Sequence, residues 1–424
     1  MNILPPDLPL KGKINLPASK SISNRLIIMQ YLSNGRIRIN NLSKADDTIL
    51  MRHLLNNVKA NIDAGNEESV CILNCENAGT VLRFLLALLA LQSGKWLLTG
   101  SERMKQRPVD SLVKALMTLG ADIEYDNLQG FPPVKISGKN LTGNSVTIDA
   151  SQSSQYITAL MMIAPILEKG LIIRLENEIA SQPYIEMTKT LMNNAGIDIK
   201  TEDRNILISR GSYKSGVFYV EPDWSAASYW YEAVALTPGS EIILNDLSGD
   251  SVQGDAVLIN IFNALGVKTR QTDNGIVIQS INRPVQNFEF NFSDYPDLAL
   301  AVAVTCTALN INARLNGLKN LKIKESNRFE ALHKELSLLN PGIDIINNDC
   351  LFIPKQKTPV KTKKLHFRTY DDHRMAMAFA PLALVIGEIS IEDPNVVSKS
   401  YPDFWKEFQR SGFKVSDESQ ATLS

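Results

Sequence analysis

Residues 261–280 read IFNALGVKTRQTDNGIVIQS, in which a helix end, a glycine and two short strands with a polar turn follow one another. The same order recurs in the segments 116–126, 191–209, 336–353 and 408–416. The marker glycines are Gly120, Gly196, Gly266, Gly342 and Gly412, at spacings of 76, 70, 76 and 70 residues. Glycine suits such a helix end because it adopts the left-handed conformation at no steric cost. Self-similarity at a fixed period predicts one structural unit used repeatedly.

Further helices and strands alternate between the marker segments, so a unit reads strand, helix, strand, helix, strand, strand. A weaker copy without the glycine lies around Val58, which brings the number of units to six. The segment 220–225, VEPDWS, precedes a new helix and divides the six units into three and three. The expected fold class is therefore α/β (α+β) with two domains.

Composition limits the classes of function. A chain of 424 residues with 44% hydrophobic content is too long for one core, and its net charge of -1 argues against broad binding to nucleic acid or membranes. The apolar run 84–91 is far shorter than the roughly 20 residues that cross a bilayer. The first residues resemble no signal peptide and the 4 cysteines suggest no disulfide framework, so we expect a cytoplasmic protein. Cys71 and Cys75 have no histidine nearby, and we expect no metal site.

Polar clusters at the entries of apolar helices interrupt the pattern in the first half. They are Ser19, Lys20, Ser21, Ser23, Asn24 and Arg25; Asn77, Gly79 and Thr80; Arg103, Lys105 and Arg107; Ser153, Ser154 and Gln155; and Ser181 and Tyr184. Helix N-termini attract anions, because their N–H groups are unsatisfied and the helix dipole is positive there. Helix caps and solvated cations explain each cluster separately as well.

The second half contributes further charged residues. These are Asp297; Asn320, Lys324, Glu325 and Arg328; Asp371, Asp372, His373 and Arg374; and Lys399. The charged segment 371–374 leads into a nearly all-apolar helix, which is costly unless its charges are paired or used.

Taken together, these helix entries predict a site for a small polyanion with phosphate or carboxylate groups. The sequence contains neither a G-x-G-x-x-G after a strand nor a P-loop, so a nucleotide partner is not expected. It also lacks a G-x-S-x-G nucleophile motif. The candidate proton-transfer groups are Asp297, Glu325, Lys20 and His373.

The ordered motifs resemble the 5-enolpyruvylshikimate-3-phosphate synthase family. They are SKSISNR (19–25), NAGT (77–80), RMKQRP (103–108), SSQYITAL (153–160), SQPY (181–184), YPD (295–297), KESNR (324–328), DDHRMAM (371–377) and KSYPDF (399–404). The resemblance implies a two-domain inside-out α/β barrel with six βαβαββ units. Domain I would be 1–18 plus 225–424, completed by the N-terminal strand, and domain II would be 19–224, with the active site in the cleft between them.

The resemblance implies transfer of the enolpyruvyl group of phosphoenolpyruvate to the 5-hydroxyl of shikimate 3-phosphate. The implied catalytic residues are Asp297, Glu325 and Lys20. Shikimate 3-phosphate would be bound by Lys20, Ser21, Arg25, Ser153, Ser154, Gln155, Ser181, Tyr184, Asp297, Asn320 and Lys324. Phosphoenolpyruvate would be bound by Lys20, Asn77, Gly79, Arg107, Gln155, Arg328, Arg374 and Lys399. We expect a monomer that uses only these two small molecules, with no cofactor.

Two departures from the family pattern and three alternatives remain. Ala18 stands where glycine is usual, and Gln182 stands where a cation is usual. A related enolpyruvyl transferase acting on UDP-N-acetylglucosamine usually has a cysteine in its mobile loop, and the segment 103–108 has none. The others are a non-catalytic anion-binding protein on the same fold and an RNA-end-processing enzyme, which the neutral charge disfavours.

Overall fold

The computed structural model of the chain describes residues 1–7, 9–281, 283–357 and 364–416. Contacts between residues divide the chain into two compact units. Unit 1 comprises Met1–Ser19, Lys44–Asp46 and Glu221–Ser424, and unit 2 comprises Lys20–Ser43 and Asp47–Val220. The domain limits inferred from the family resemblance stay a prediction.

Strands and helices alternate along both units. In chain order, the strands are β1 (Asn2–Leu4), β2 (Lys11–Ile14), β3 (Ile37–Asn40), β4 (Val70–Asn74), β5 (Gly94–Thr99), β6 (Asp122–Tyr125), β7 (Val134–Gly138), β8 (Ser145–Asp149), β9 (Leu171–Glu176), β10 (Ile199–Glu202), β11 (Asn205–Ile208), β12 (Gly216–Tyr219), β13 (Glu241–Asn245), β14 (Val267–Thr272), β15 (Gly275–Ser280), β16 (Asn287–Asn291), β17 (Asn312–Asn316), β18 (Asp344–Ile346), β19 (Cys350–Ile353), β20 (Leu365–Phe367), β21 (Ile389–Ile391) and β22 (Lys414–Ser416). The helices are α1 (Lys20–Leu32), α2 (Asp46–Asp63), α3 (Gly79–Leu89), α4 (Asp110–Thr118), α5 (Ser154–Ile163), α6 (Gln182–Asn194), α7 (Trp224–Ala235), α8 (Leu258–Ala264), α9 (Ala299–Ala308), α10 (Arg328–Leu336), α11 (His373–Phe379), α12 (Ala383–Ile386) and α13 (Phe404–Arg410).

The sheets repeat one topology. Four sheets have the orders β2-β13-β15-β14, β16-β17-β19-β18, β4-β5-β7-β6 and β8-β9-β11-β10. In each, the first two strands are parallel and the last two form an antiparallel hairpin. A fifth sheet, β20-β21-β1-β22, has the same geometry with the N-terminal strand in the third place. In the sixth sheet, the described residues form two parallel strands, β12 and β3. The expected α/β class is confirmed.

Each unit encloses a set of buried helices. Helices α1, α3 and α5 pack on one another in unit 2, and α9 packs on α7 and α11 in unit 1. The sequences of α3 (GTVLRFLLALL) and α9 (ALAVAVTCTA) are apolar almost all round, which is the composition of a helix buried on every side. By contrast, α2, α6 and α10 each keep a polar face.

The N-terminal ends of the buried helices meet within unit 2. The side-chain amide of Asn24 in α1 donates to the hydroxyl of Thr80 in α3 at 2.8 Å. Arg83 in α3 donates from Nη1 to Oε1 of Gln155 in α5 at 3.2 Å. The polar helix entries of the first half are therefore brought together by the packing of the apolar helix bodies.

Unit 1 has a similar arrangement, in which the starts of α9 and α11 meet beside the middle of α7. Arg374 in α11 donates to the hydroxyl of Tyr229 in α7 at 3.4 Å. It also donates from Nη2 to the carboxylate of Asp297, which lies in the turn leading into α9, at 2.8 Å.

The marker glycines behave as expected with one exception. Gly120, Gly196, Gly266 and Gly412 have φ values between 80° and 102°, so each occupies the left-handed region at a helix end. The prediction is wrong for Gly342, whose φ is not in that region. There the side chain of Asn340 accepts from the Gly342 N–H at 3.1 Å and donates to the Pro354 carbonyl at 2.8 Å, so an amide closes the turn instead.

All four cysteines are free thiols. Cys75 and Cys306 are buried, and burial raises the pKa of both thiols. Within the described ranges, no helix combines the length and apolar character that crossing a membrane requires.

Glu232 is a buried acid in α7 whose carboxyl oxygens have no hydrogen-bond partner among the described residues. Burial raises its pKa well above the usual value. Below the unfolded pKa of about 4.3, the carboxyl is protonated in both states and its contribution to stability is fully present. As the pH rises toward the folded pKa, the unfolded state ionises first and stability is lost, by up to about 1.4 kcal/mol per pH unit.

We therefore expect Glu232→Gln to match the wild-type protein in unfolding free energy near pH 4 and to exceed it increasingly toward pH 8. Urea unfolding followed by tryptophan fluorescence measures this, because Trp224, Trp230 and Trp405 all lie in unit 1. The exposed acid in Glu241→Gln is the matched control. Parallel pH profiles for wild type and Glu232→Gln would contradict the assignment of a buried neutral acid.

Candidate active site

The start of α1 holds a cation in a fixed position. Lys20 is the first residue of the helix, and its Nζ lies 2.9 Å from Oδ2 of Asp47. Both side chains are largely shielded from solvent, so this ion pair is stronger than one on the surface. Ser21 follows directly, and the two residues place an ammonium and a hydroxyl at the positive end of the helix dipole.

Arg25 lies one turn further and is almost completely buried. Its Nε donates to the Thr188 hydroxyl at 2.7 Å, and Nη2 donates to the Thr158 hydroxyl at 3.4 Å and to the Tyr184 carbonyl at 3.3 Å. Burial lowers its pKa to about 10. Protein groups thus hold the guanidinium in place, and its role as a substrate ligand stays a prediction.

Two guanidinium groups pack against the first residue of α3. A Cβ atom on Gly79 would lie 2.6 Å from Nη1 of Arg83 and 2.7 Å from Nη2 of Arg107, so these groups occupy the space that a side chain would take. Arg107 donates from Nη1 to the Asn77 carbonyl at 3.1 Å. A helix N-terminus beside two buried cations is a favourable place for an anion.

Only one of the three cations predicted in the segment 103–107 reaches this place. Lys105 pairs with Glu102 at 2.6 Å on the surface, and Arg103 lies near the side chain of Gln106 at 3.5 Å. Arg107 is buried instead.

The entry of α5 adds hydroxyl and amide groups. The Ser153 hydroxyl caps the helix by accepting from the Gln155 N–H at 3.3 Å, and Ser154 is the buried first residue. Ser181 precedes α6 with φ 57° and ψ 44°, a left-handed conformation that is strained for a residue with a side chain. Tyr184 lies in the first turn of the same helix. The structure therefore places most predicted residues of unit 2 at the starts of α1, α3, α5 and α6, while Arg107 follows the turn Met104–Gln106 and reaches the start of α3 through its side chain.

Unit 1 is organised around Arg328, which is 1% exposed. Its Nη1 lies 3.1 Å from Oδ1 of Asp297, and its Nη2 lies 2.8 Å from Oε2 of Glu325. Asp372 binds the third side of the guanidinium through Oδ2 to Nε at 2.7 Å and through Oδ1 to Nη2 at 3.2 Å. One buried cation thus fixes three carboxylates.

Asp297 lies between two guanidinium groups, because Arg374 binds its other oxygen at 2.8 Å. Burial alone would raise the pKa of Asp297, but the charges of Arg374, Lys324 and Arg328 outweigh it and hold the pKa well below its usual range. Asp297 is therefore a weak base as long as these cations stay paired with it.

A strained turn precedes α11. Tyr370 and Asp371 both have left-handed φ values, 55° and 56°, which cost free energy in residues with side chains. The turn places Asp372 so that its carboxylate caps α11 at the Arg374 N–H, 3.0 Å away. His373 is buried, with Nδ1 3.6 Å from the Asp372 carboxylate. The charged entry into this apolar helix is thus paired, as its burial requires.

Three further predicted residues also lie in unit 1. Asn320 belongs to the turn Lys319–Ile323. Lys324 directly follows this turn and precedes Glu325. Lys399 ends the turn Pro394–Lys399 and is half-buried.

Two buried groups near these clusters were not among the predicted site residues. Arg83 is the one charge inside the apolar sequence of α3, and that interruption is the signal that could have identified it. Asp255 accepts a hydrogen bond from the Ser225 hydroxyl. Burial, and then the charge of Asp297, raise the pKa of Asp255 to about 7. No pattern around Asp255 in the sequence distinguishes it from an ordinary turn acid.

Comparisons with known proteins agree with the resemblance drawn from the nine motifs. The family model of EPSP synthase (3-phosphoshikimate 1-carboxyvinyltransferase) matches residues 5–408. The 3-phosphoshikimate 1-carboxyvinyltransferase of Bacteroides fragilis (strain YCH46) is 44% identical over 417 residues, which cover 96% of this chain and 98% of that protein. The protein of the same name from Colwellia psychrerythraea is 36% identical and covers 93% of this chain and 96% of its own length.

A solved structure supports the fold. The EPSP synthase of Acinetobacter baumannii superimposes with a TM-score of 0.73 over 98% of this chain and 99% of that chain, at 21% identity. With a family model that matches almost the whole length and relatives well above 30% identity, the chain belongs to the EPSP synthase (3-phosphoshikimate 1-carboxyvinyltransferase) family.

Proposed function

We propose that this enzyme transfers the carboxyvinyl group of phosphoenolpyruvate to the 5-hydroxyl of shikimate 3-phosphate and releases phosphate. Membership of the family supports the reaction. The observation that carries the chemistry is the pair of carboxylates, Asp297 and Glu325, held on the buried guanidinium of Arg328. A reaction that takes a proton from oxygen and gives one to carbon needs two such groups.

Fixed cations among the proposed site residues match the charges of the two substrates in this proposal. Phosphoenolpyruvate carries a carboxylate and a phosphate, and fixed guanidinium groups suit both. Arg107 beside Gly79 would bind the phosphate in unit 2, and Arg328 and Arg374 would bind the carboxylate. Shikimate 3-phosphate would be bound by Lys20, Ser21, Arg25, Ser153, Ser154, Gln155, Ser181, Tyr184, Asp297, Asn320 and Lys324. Asn77, Lys399 and the shared residues Lys20 and Gln155 would complete the phosphoenolpyruvate site.

The transfer proceeds by addition and elimination. The 5-hydroxyl oxygen bonds to C2 of phosphoenolpyruvate while its proton passes to Asp297 and C3 receives a proton from Glu325. The tetrahedral intermediate then returns a proton from C3 to the ionised Glu325 and breaks the bond between C2 and the phosphate oxygen, and the proton held by Asp297 leaves with the phosphate. The products are the carboxyvinyl ether and phosphate, and Lys20 stabilises the charge that develops during addition.

Substrate binding also accounts for the basicity of Asp297. In the substrate-free protein, the charges of Arg374, Lys324 and Arg328 outweigh burial and depress its pKa. A substrate carboxylate that binds these guanidinium groups competes with Asp297 for them, so the pKa of Asp297 rises toward the range of a useful base. We therefore expect phosphoenolpyruvate binding to increase the basicity of Asp297.

The reaction is tested by mixing the purified protein with both substrates and measuring phosphate. We expect phosphate release that requires shikimate 3-phosphate and is not supported by UDP-N-acetylglucosamine. Folded protein that releases no phosphate would remove the proposal, and release with the UDP sugar alone would identify the other enolpyruvyl transferase.

Asp297→Asn and Glu325→Gln test the two proton-transfer roles. Each change keeps the shape of the side chain and removes its charge, so we expect turnover to fall by at least about a hundredfold. Steady-state kinetics measure this, with Glu330→Gln, an exposed acid of α10, as the control. A near-normal turnover number in either variant would exclude that residue from proton transfer.

Gly79→Ala tests the anion site in unit 2. The added methyl group would displace the guanidinium groups of Arg83 and Arg107. We expect the KM for phosphoenolpyruvate to rise by at least about tenfold, equivalent to the loss of one hydrogen bond to a charged group. An unchanged KM would show that phosphoenolpyruvate does not approach this helix end.

A further inference from the structure

Arg83 is a buried cation to which the proposed mechanism gives no part. It is the one charged residue of α3 and is 3% exposed. It lies one turn after Gly79, and helical side chains lean toward the N-terminus, so its guanidinium reaches back to the start of the helix.

All the described partners of Arg83 are neutral. Nη1 donates to Oε1 of Gln155 at 3.2 Å, and Nη2 donates to the Pro108 carbonyl at 3.3 Å. The guanidinium carbon lies 5.4 Å from the centre of the Tyr156 ring. No carboxylate forms an ion pair with Arg83 in the described part of the chain, and its buried Nε has no hydrogen-bond acceptor there. A buried charge without a counter-charge destabilises a fold, so its presence calls for a functional reason.

The two hydrogen-bond acceptors of Arg83 belong to a residue of the proposed anion site or to the neighbour of one. The Gln155 amide offers a ligand either its carbonyl oxygen or its two N–H donors. Since Oε1 accepts from Arg83, Nε2 is the group left to bind a ligand, and N–H donors recognise anions. The carbonyl of Pro108, which also accepts from the Tyr156 hydroxyl, belongs to the residue that follows Arg107.

We propose that Arg83 is a positioning residue for phosphoenolpyruvate, which orients the Gln155 amide and anchors the chain beside Arg107 so that both present N–H donors to the phosphate. This inference rests on the proposed function and deepens it. Arg83 selects an anion at this helix end through the donor groups that it orients, while its own charge stays without a carboxylate partner.

The proposal predicts opposite effects on stability and binding. Replacing Arg83 by methionine removes an uncompensated buried charge at similar volume, so the melting temperature without ligands stays the same or rises. The KM for phosphoenolpyruvate rises by at least about tenfold, because Gln155 loses its fixed orientation. Arg83→Lys keeps the charge but cannot reach both acceptors at once, so it gives an intermediate KM.

A double-mutant cycle provides the test. KM and kcat are measured for Arg83→Met, Gln155→Ala, the double variant and the wild-type enzyme. If Arg83 acts through Gln155, the KM of the double variant stays within about threefold of the higher of the two single-variant KM values. Arg52→Met, which removes an exposed arginine of α2, is the matched control and leaves KM unchanged.

Three outcomes would overturn the proposal. The first is an unchanged KM in Arg83→Met. The second is a double variant whose fold-increase in KM is the product of the two single-variant increases. The third is a lowered melting temperature in Arg83→Met together with a normal KM in Arg83→Lys. If the wild-type enzyme shows no turnover, the proposed function fails separately. The rise in melting temperature caused by inorganic phosphate is then the readout, and a rise as large in Arg83→Met as in wild type would reject the inference.

Discussion

The buried guanidinium of Arg328 is the interaction on which the chemistry of unit 1 depends. It holds Asp297, Glu325 and Asp372 at distances of 2.7 to 3.1 Å for the shortest contact of each. Two of these carboxylates are the proposed proton-transfer groups, and the third caps the helix that carries Arg374. Removing such a cation would leave three carboxylates without their common partner, and breaking a buried pair typically costs about 3–5 kcal/mol. The same contact that stabilises the fold therefore sets the spacing of the acid and the base.

The packing of the buried helices explains how the charged side chains come together within each unit. Helices that are apolar on all sides pack together, and their N-terminal ends carry the polar residues that cannot be buried with the helix bodies. The result in unit 2 is a set of cations at the starts of α1 and α3, represented by Lys20 and the pair Arg83 and Arg107. In unit 1 the corresponding helix starts hold Asp297 and Arg374. Stability and site formation thus arise from the same packing.

Much of this was predictable from the sequence, because periodicity and helix entries are local signals. The glycine spacing predicted the repeated units, and the polar helix entries predicted an anion site. The turn at Gly342 was not predictable. The side-chain amide of Asn340 closes it in place of a left-handed glycine, which depends on Asn340 reaching the Pro354 carbonyl. The partners that Arg25 finds in α5 and α6 were not predictable either, because they lie more than 130 positions away in the sequence. Arg83 gave a local signal, an isolated charge in an apolar helix, but its meaning required knowing that Gln155 lies beside it.

The central claim is that Glu325 and Asp297 serve an addition followed by an elimination at the carboxyvinyl group. Running the transfer in D₂O and reading the hydrogens at C3 of the product by mass spectrometry tests it most directly. Protonation of C3 makes a methyl group that then loses one of its three hydrogens, so the account predicts deuterium at C3 of the product. Product that forms without deuterium at C3 would contradict the mechanism.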